Sequence, residues 1–322
     1  MTRPAAAVCL AALLVTPPAD PRLARPDRPP SAQRPAEAPS FTCPMHPEVT
    51  ARAAGTCPRC GMALVRMDPF EAREYEVEAQ TEPIAVRAGR PFRLRLTIRE
   101  PRTHAVVHDF ATVHDKRYHL FVISADLAHY AHVHPEQEPD GSWTVDVTVP
   151  RDGYYTLYSD FLPVGAAPQV VALPLVTTGY AGDLASSRAA LTPDRVLRKA
   201  VGDMTAALAV PADGFAAGRE ERFACQLTDR RTGAAVTDLE PYLAAWGHTL
   251  IVSEDSLAVV HAHPVEPVPL DDPAARGGPL ITFKALFPKA GRYRIWTQLK
   301  RHGEVVTAVF TIDVASPTRR QG

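Results

Sequence analysis

Three of the five cysteines fall within 18 positions, in the segments Cys43-Pro-Met-His46 and Cys57-Pro-Arg-Cys60. The spacing is C-x2-H-x10-C-x2-C. Two ligands separated by two residues form one half of a metal knuckle, and two such halves complete a four-ligand shell. The pattern therefore predicts one metal site held by Cys43, His46, Cys57 and Cys60.

The residue types around this pattern indicate a heavy metal, either copper or zinc. Thiolates with imidazole suit zinc, whereas the thioethers of Met45 and Met62 beside the knuckles suit Cu(I). A segment of about 25 residues is too short to bury a core, so it needs a metal or disulfides to fold. The alternative to a metal site is a Cys57–Cys60 disulfide.

Histidines form a second group of residues that could bind metal. The chain has 12 histidines, seven of them between positions 104 and 134. The spacing H-x12-H-x-H-P occurs twice, in His119, His132 and His134 and again in His248, His261 and His263. Residues i and i+2 of a strand face the same side, so the two histidines of each H-x-H project together. Three imidazoles with an open position suit Zn(II) or Cu(II).

A short turn positions the third histidine of each set. The connection from Ser124 to Ala128 contains Asp126 and predicts an antiparallel hairpin centred near 126. This hairpin brings His119 beside the H-x-H pair, and a second hairpin centred near 255 does the same in the later copy. One histidine triad is therefore expected in each copy.

The first triad has further histidines close to it in sequence. His104, His108, His114 and His129 are expected to add ligands that the second copy lacks. A structural role is the alternative for all of these histidines, in which each imidazole is buried and bonded to a backbone carbonyl.

The cysteine segment resembles the small heavy-metal-binding domain of copper-transporting P-type ATPases and of periplasmic adaptors of metal-efflux pumps. The motifs CPMHP and CPxCGM of that family both occur within residues 41–66. The resemblance implies heavy-metal binding by this module alone and does not identify the ion. It also implies a metal ion as partner and suggests a metal-transport or efflux protein as a second one.

The remaining sequence predicts a mainly β protein. Residues 74–178 and 200–315 contain short strands with alternating apolar and polar residues, separated by turn signals. Positions in the first segment match the second at an offset of 129, which becomes 138 after an insertion. We expect two tandem immunoglobulin-like or cupredoxin-like β-sandwiches, preceded by the metal-knuckle module. Residues 179–199 are expected to be a linker, with a short helix from Leu191 to Lys199.

The N-terminus and the composition bound the location and the class of partner. Residues 1–19 resemble a signal peptide, with a disordered tail as the alternative, and residues 20–40 a disordered Pro-rich tether. A signal peptide predicts a secreted or periplasmic protein, and no membrane span is expected in the mature chain. The net charge of −1 gives no reason to expect a nucleic-acid partner.

Together these patterns predict an extracytoplasmic protein that binds copper or zinc for sequestration or handover. No nucleophile elbow, P-loop or dinucleotide fingerprint occurs, so no enzymatic activity is expected. One alternative is an interaction or adhesion protein whose knuckle is a structural zinc clip. Another is a copper oxidoreductase that uses the histidines.

Overall fold

The computed structural model describes residues 41–44, 49–58, 62–66 and 73–317. Several predictions lie outside these residues, namely the signal peptide and tether at 1–40 and the ligands Met45, His46 and Cys60. Within the described ranges, no helix is long and apolar enough to cross a membrane. The predicted fold class is confirmed, because the structure is nearly all β and contains tandem sandwiches.

The module at the start of the described chain is a small three-stranded antiparallel sheet. Its strands are β1 (Phe41–Thr42), β2 (Thr50–Ala51) and β3 (Val65–Arg66), in the order β2-β1-β3. The backbone closes a loop after each described cysteine of the knuckles: Cys43 N donates to Val49 O at 3.1 Å, and Cys57 N to Met62 O at 2.7 Å.

The first repeat is a sandwich of two four-stranded sheets, β4-β5-β9-β8 and β11-β10-β6-β7. Its strands are β4 (Glu76–Glu82), β5 (Phe92–Arg99), β6 (Tyr118–Ser124), β7 (Tyr130–Val133), β8 (Glu136–Gln137), β9 (Trp143–Val147), β10 (Tyr154–Phe161) and β11 (Gln169–Val176). The alternation in β5 buries every second side chain, so that Phe92, Leu94 and Leu96 enter the core with Leu120 and Val122 of the facing sheet.

The connection between the repeats differs from its prediction. Its only helix among the described residues is α1 (Leu184–Ser187), and the helix expected from Leu191 to Lys199 was wrong. Tertiary contacts hold that segment extended: Leu191 N donates to Glu254 Oε1 at 2.6 Å, and Asp194 N to Thr311 O at 2.9 Å. Both contacts reach into the second repeat, which a local propensity argument does not consider.

The second repeat is a sandwich of a four-stranded sheet, β12-β13-β15-β18, and a five-stranded sheet, β14-β20-β19-β16-β17. Its strands are β12 (Arg198–Val201), β13 (Met204–Ala209), β14 (Phe215–Ala216), β15 (Glu220–Asp229), β16 (His248–Ser253), β17 (Val259–Ala262), β18 (Leu280–Leu286), β19 (Gly291–Arg301) and β20 (Glu304–Ala315).

The strand order of the first repeat recurs in the second. The order β11-β10-β6-β7 corresponds to β20-β19-β16-β17, and β4-β5-β9 corresponds to β13-β15-β18. The hairpin register is also shared, because Leu120 lies opposite Val133 and Thr249 lies opposite Ala262. The second repeat adds β12 and β14 at the edges of its sheets.

The two repeats pack against each other through the sheets that contain β6 and β16. Every residue of β6 is buried, because alternate side chains face its own core and the other repeat. The interface cluster consists of Phe121, Ile123, Leu127, Tyr158, Leu191, Leu250, Val252 and Trp296. Tyr130 stacks on Trp296 with ring centroids 5.2 Å apart, and Tyr158 donates to Ser256 O at 2.9 Å. The repeats are therefore joined by an apolar, ordered interface.

The module contacts the first repeat. Gly165 N donates to Arg66 O at 2.7 Å, and Val65 packs with Ala111 and Leu162. The end of β3 is thereby fixed on the loop between β10 and β11.

We predict that Trp296→Ala lowers the free energy of unfolding by about 3–5 kcal/mol, because it empties a buried site at the interface of the repeats. Denaturant unfolding measures this loss. Leu257→Ala is the control, since Leu257 is 82% exposed and its truncation should change stability by no more than about 0.5 kcal/mol. Equal effects of the two substitutions would contradict the packing described here.

Candidate metal centre

Two hairpins place the predicted histidines on one face of each repeat. His132 lies opposite Phe121, and His261 lies opposite Leu250 in the second repeat. Both Phe121 and Leu250 belong to the interface cluster. The histidines that share this face therefore point at the other repeat and not into their own sandwich.

The histidines of both repeats meet in a single group, which we call the interface histidine cluster. Its members are His114, His119, His132, His134, His248, His261 and His263, which are linked by ring contacts. The ring of His261 in the second repeat lies 5.3 Å from that of His119 and 5.9 Å from that of His132, measured between centroids. Each expected triad comes together within its own repeat, and the two triads also meet each other, because they lie on the faces that pack together.

His119 and His248, which occupy equivalent positions in the two repeats, make equivalent contacts. His119 Nε2 donates to Val113 O at 3.0 Å, and His248 Nε2 donates to Tyr242 O at 3.0 Å. Their other ring nitrogens face the neighbouring strand: His119 Nδ1 lies 3.1 Å from His132 Nε2, and His248 Nδ1 lies 3.4 Å from His261 Nε2. Each of these two rings therefore has one nitrogen fixed by a carbonyl and one directed into the cluster.

Two further contacts cross between the repeats. His132 Nδ1 donates to Gln298 Oε1 at 2.8 Å, and His261 Nδ1 donates to Asp160 Oδ2 at 2.6 Å. Asp160 and Gln298 are equivalent at the offset of 138, so each repeat supplies an acceptor to a histidine of the other. Sequence reasoning missed both acceptors, although a polar residue at matching positions of β10 and β19 was a signal for them.

Two sets of three histidines have ring nitrogens close enough to share an ion. The sets are His119 with His132 and His261, and His114 with His248 and His263. In each set, one nitrogen per residue lies within 4.8 Å of the others. Both sets take ligands from both repeats. His134 belongs to the cluster but to neither set, although the sequence placed it in the first triad.

His114 joins the cluster from a loop and breaks its symmetry. The equivalent residue in the second repeat is Leu243, and both have positive φ, at 51° and 52°. The ring of His114 stacks on His263 with centroids 3.5 Å apart. Both nitrogens of each of these two rings are buried without a hydrogen-bond partner, which is a costly arrangement for polar atoms unless an ion or water satisfies them.

The other histidines expected near the first triad lie elsewhere. His104 pairs with Glu76 at 3.1 Å on the surface, and the side chain of His108 is exposed. His129 packs against the ring of Tyr155 at 5.7 Å. Their expected role as ligands is corrected, because the turns and edge positions that carry them do not face the second repeat.

Burial favours the neutral form of several rings of the cluster. Desolvation, followed by the charge of His261, lowers the pKa of His119 to about 4 and that of His114 to about 3. Burial likewise lowers the pKa of His134 to about 3, and the pKa values of His132 and His248 fall well below the usual range. Neutral imidazole is the form that binds metal, so rings such as His119 and His132 present ligands without prior deprotonation near neutral pH.

The module brings two of its predicted ligands together. Cys43 and Cys57 are buried in one small cluster with Leu64. Met62 lies at the end of the second loop, where its carbonyl accepts from Cys57 N. Two thiols buried in the same small cluster suit a soft or borderline heavy metal, which is the ion expected from the motif.

A cleft of about 180 Å³ lies between the module and the interface histidine cluster. Its lining includes Pro44, His119, Asp160, His261 and His263. Pro44 directly follows Cys43, so the first knuckle loop and the histidines border the same space. The third described cysteine, Cys225, does not belong to this region. It is fully buried in the core of the second repeat, and burial raises the pKa of its thiol to about 12.

Comparison with known families identifies both parts of the chain. The model of the family described as "Heavy metal binding domain" matches residues 41–67. The model described as "Domain of unknown function (DUF8832)" matches twice, at residues 71–176 and 199–316, which together span well over half of the sequence. The chain belongs to this family. No curated protein matches it.

Several solved structures are similar at low identity. Domains 4 and 5 of the S-layer protein SbsC show 14% identity and a TM-score of 0.20, with 76% of this chain and 100% of that chain covered. The Escherichia coli adhesin FdeC shows 12% identity and a TM-score of 0.24, with coverages of 79% and 68%. InvD of Yersinia pseudotuberculosis shows 15% identity and a TM-score of 0.22, with coverages of 76% and 60%. Scores of this size carry no argument about function.

We predict that the metal-free protein loses stability as the pH falls below about 6.5. The folded-state pKa values of His114 and His119 are depressed, so the unfolded chain binds protons first and unfolding becomes more favourable towards pH 4. Each such histidine contributes a slope of up to about 1.4 kcal/mol per pH unit. Urea unfolding of the protein with chelator present, at a series of pH values, measures this slope.

His114→Leu should make this pH dependence shallower, because Leu243 shows that leucine fits the same backbone. His108→Gln is the matched control, since its side chain is exposed and the slope should not change. An unchanged slope in His114→Leu would contradict the burial assigned to His114.

Proposed function

We propose that this family member is an extracytoplasmic heavy-metal-binding protein that holds copper or zinc for sequestration or handover. The observation that carries the proposal is the Cys43–Cys57 thiol pair in a module that matches a heavy-metal-binding family. The thiols, with His46 and Cys60 of the same motif, provide the sulfur and nitrogen ligands that such ions prefer.

The position of the module supports handover over simple storage. Pro44, next to Cys43, borders the cleft that His119 and His261 also line. The cleft next to Cys43 therefore contains imidazoles that are available to an ion released from the module. Thiolates bind Cu(I) or Zn(II), and imidazoles accept Cu(II) or Zn(II), so Zn(II) is the ion that both groups hold without a change of oxidation state.

The location and the partner are proposed from the sequence. The apolar segment within residues 1–19 has the pattern of a signal peptide, which supports a secreted or periplasmic protein. A metal-transport or efflux protein is the partner that the module's resemblance suggests. We assign the protein no catalytic reaction, and its proposed cargo is the metal ion itself.

We predict that Cys43→Ser with Cys57→Ser removes the metal bound by the module. The two thiols would be half of its ligand shell, and a hydroxyl is a poor ligand for soft ions. Elemental analysis of the purified full chain, loaded with Zn(II) or Cu(I) and desalted, should show a loss of one ion per chain. Cys225→Ala is the control, because this buried thiol lies in the second core and its loss should leave the metal content unchanged.

The same loading experiment distinguishes handover from a structural zinc clip. We expect the module's ion to pass to a competing chelator of higher affinity within minutes, with the circular dichroism of the β-sandwiches unchanged. An ion that resists the chelator until the protein unfolds would instead support the clip and contradict the proposed function.

A further inference from the structure

We propose that His119, His132 and His261 form a second metal site, which bridges the two repeats and binds Cu(II) or Zn(II) independently of the cysteine module. Two of its ligands come from the first repeat and one from the second. Neither repeat can complete the site alone, because His261 is the third ligand.

Hydrogen bonds to Val113 O and Gln298 Oε1 determine which ring nitrogen of His119 and of His132 carries a lone pair. Val113 O can only accept, so the proton of His119 is on Nε2 and its Nδ1 carries a lone pair. Gln298 Oε1 accepts from His132 Nδ1, which leaves the lone pair of His132 on Nε2. These two lone-pair nitrogens lie 3.1 Å apart with no proton between them. A cation bound to both removes that repulsion.

The third ring is oriented by a carboxylate. Asp160 Oδ2 accepts from His261 Nδ1 at 2.6 Å, so the lone pair of the neutral His261 ring is on Nε2. A carboxylate behind a metal-binding histidine fixes its tautomer and raises its basicity, and such partners are common in metal sites. All three rings therefore have one nitrogen held from outside and one available to an ion.

The spacing of the rings fits one ion. With metal–nitrogen bonds of about 2.0–2.1 Å, nitrogens around a tetrahedral or trigonal ion lie about 3.3–3.6 Å apart and ring centroids about 5.1–5.5 Å apart. The centroids are 5.3 Å apart for His119–His132, 5.3 Å for His119–His261 and 5.9 Å for His132–His261. One nitrogen per residue lies within 4.8 Å of the others, so small movements of the rings would bring all three to one ion.

The second set of histidines does not fit in this way. His114 and His263 stack with centroids 3.5 Å apart and an interplanar angle of 15°, so their in-plane lone pairs cannot converge on one ion. The ring of His248 lies 6.3 Å from that of His119 and 6.1 Å from that of His132, farther than any pair within the proposed site, although its Nδ1 lies 3.4 Å from His261 Nε2. The geometry therefore favours the first set alone.

The site keeps an open coordination position. Three protein ligands leave the fourth corner of a tetrahedral ion for water or an incoming donor. The cleft is lined by His119 and His261 and also by Pro44 of the module, with Lys116 and Arg117 among its other lining residues. Two of the three proposed ligands therefore border the same space as Pro44.

The test uses the full chain carrying Cys43→Ser, Cys57→Ser and Cys60→Ser, so that the three thiols of the module do not compete. Cu(II) titrated against a competing chelator should bind at one equivalent. The electron paramagnetic resonance spectrum should show coupling to three nitrogens. In this background, His261→Ala should leave two coupled nitrogens and weaken binding at least 100-fold.

Two further variants separate the bridging site from its alternatives. His134→Ala removes a histidine of the same strand pair that the bridging site does not use, so affinity and the three-nitrogen signal should persist. His114→Leu removes the other set and should likewise have no effect. Loss of binding in His134→Ala, with His261→Ala unaffected, would place the ion within the first repeat and overturn the proposal.

Asp160→Asn tests the site without removing any of its three ligands. It should weaken Cu(II) binding 10–100-fold while three nitrogens remain coupled, because the amide supports His261 less well than the carboxylate. If His261→Ala fails to fold, as judged by its near-ultraviolet circular dichroism, this variant decides the question: unchanged affinity rejects the site. These results do not depend on the thiol module, so the failure of either proposal leaves the other testable.

Discussion

The packing of β6 against the second repeat is the constraint on which the rest of the structure depends. Phe121 and Ile123 of this strand meet Leu250 and Val252 of β16, and burial of these side chains holds the two sheets face to face. The histidines lie on the same face of the sheets as these apolar residues, so any packing that buries the apolar side chains also buries the imidazoles. Desolvation of the rings, their neutral state and their contacts across the repeats all follow from this one interface.

The local parts of this arrangement could be predicted from the sequence, whereas the long-range parts could not. Period-2 alternation placed His132 and His134 on one face, and a short turn placed His119 beside them, because both rules depend only on neighbouring residues. No rule of that kind says which faces of two duplicated sandwiches pack together. Asp160 and Gln298 therefore could not be predicted as acceptors, because each accepts a hydrogen bond from a histidine more than 100 positions away. The helix expected near Leu191 failed for the same reason.

Duplication followed by divergence explains the asymmetry of the cluster. Two identical repeats packed face to face would present equivalent histidines with equivalent acceptors. Here one acceptor is the carboxylate of Asp160 and the other the amide of Gln298, so only His261 has a charged partner. His114 also replaces the leucine of the other copy. The similar arrangement of the histidines in the two repeats thus comes from the duplication. The difference in basicity among their rings comes from substitutions at single positions.

The cluster carries a cost in the metal-free protein. Four nitrogens of His114 and His263 are buried without partners, and the lone pairs of His119 and His132 face each other at 3.1 Å. Each unsatisfied buried group costs about 1–3 kcal/mol, which is large beside a typical stability of about 5–15 kcal/mol. Apolar side chains at these positions would avoid this cost, and leucine occupies the position equivalent to His114 in the second repeat. Departures of this kind from a well-packed core are expected where a site serves a function. The proposed ion between His119, His132 and His261 would satisfy the three inward nitrogens and link the repeats at the point where their packing is least favourable.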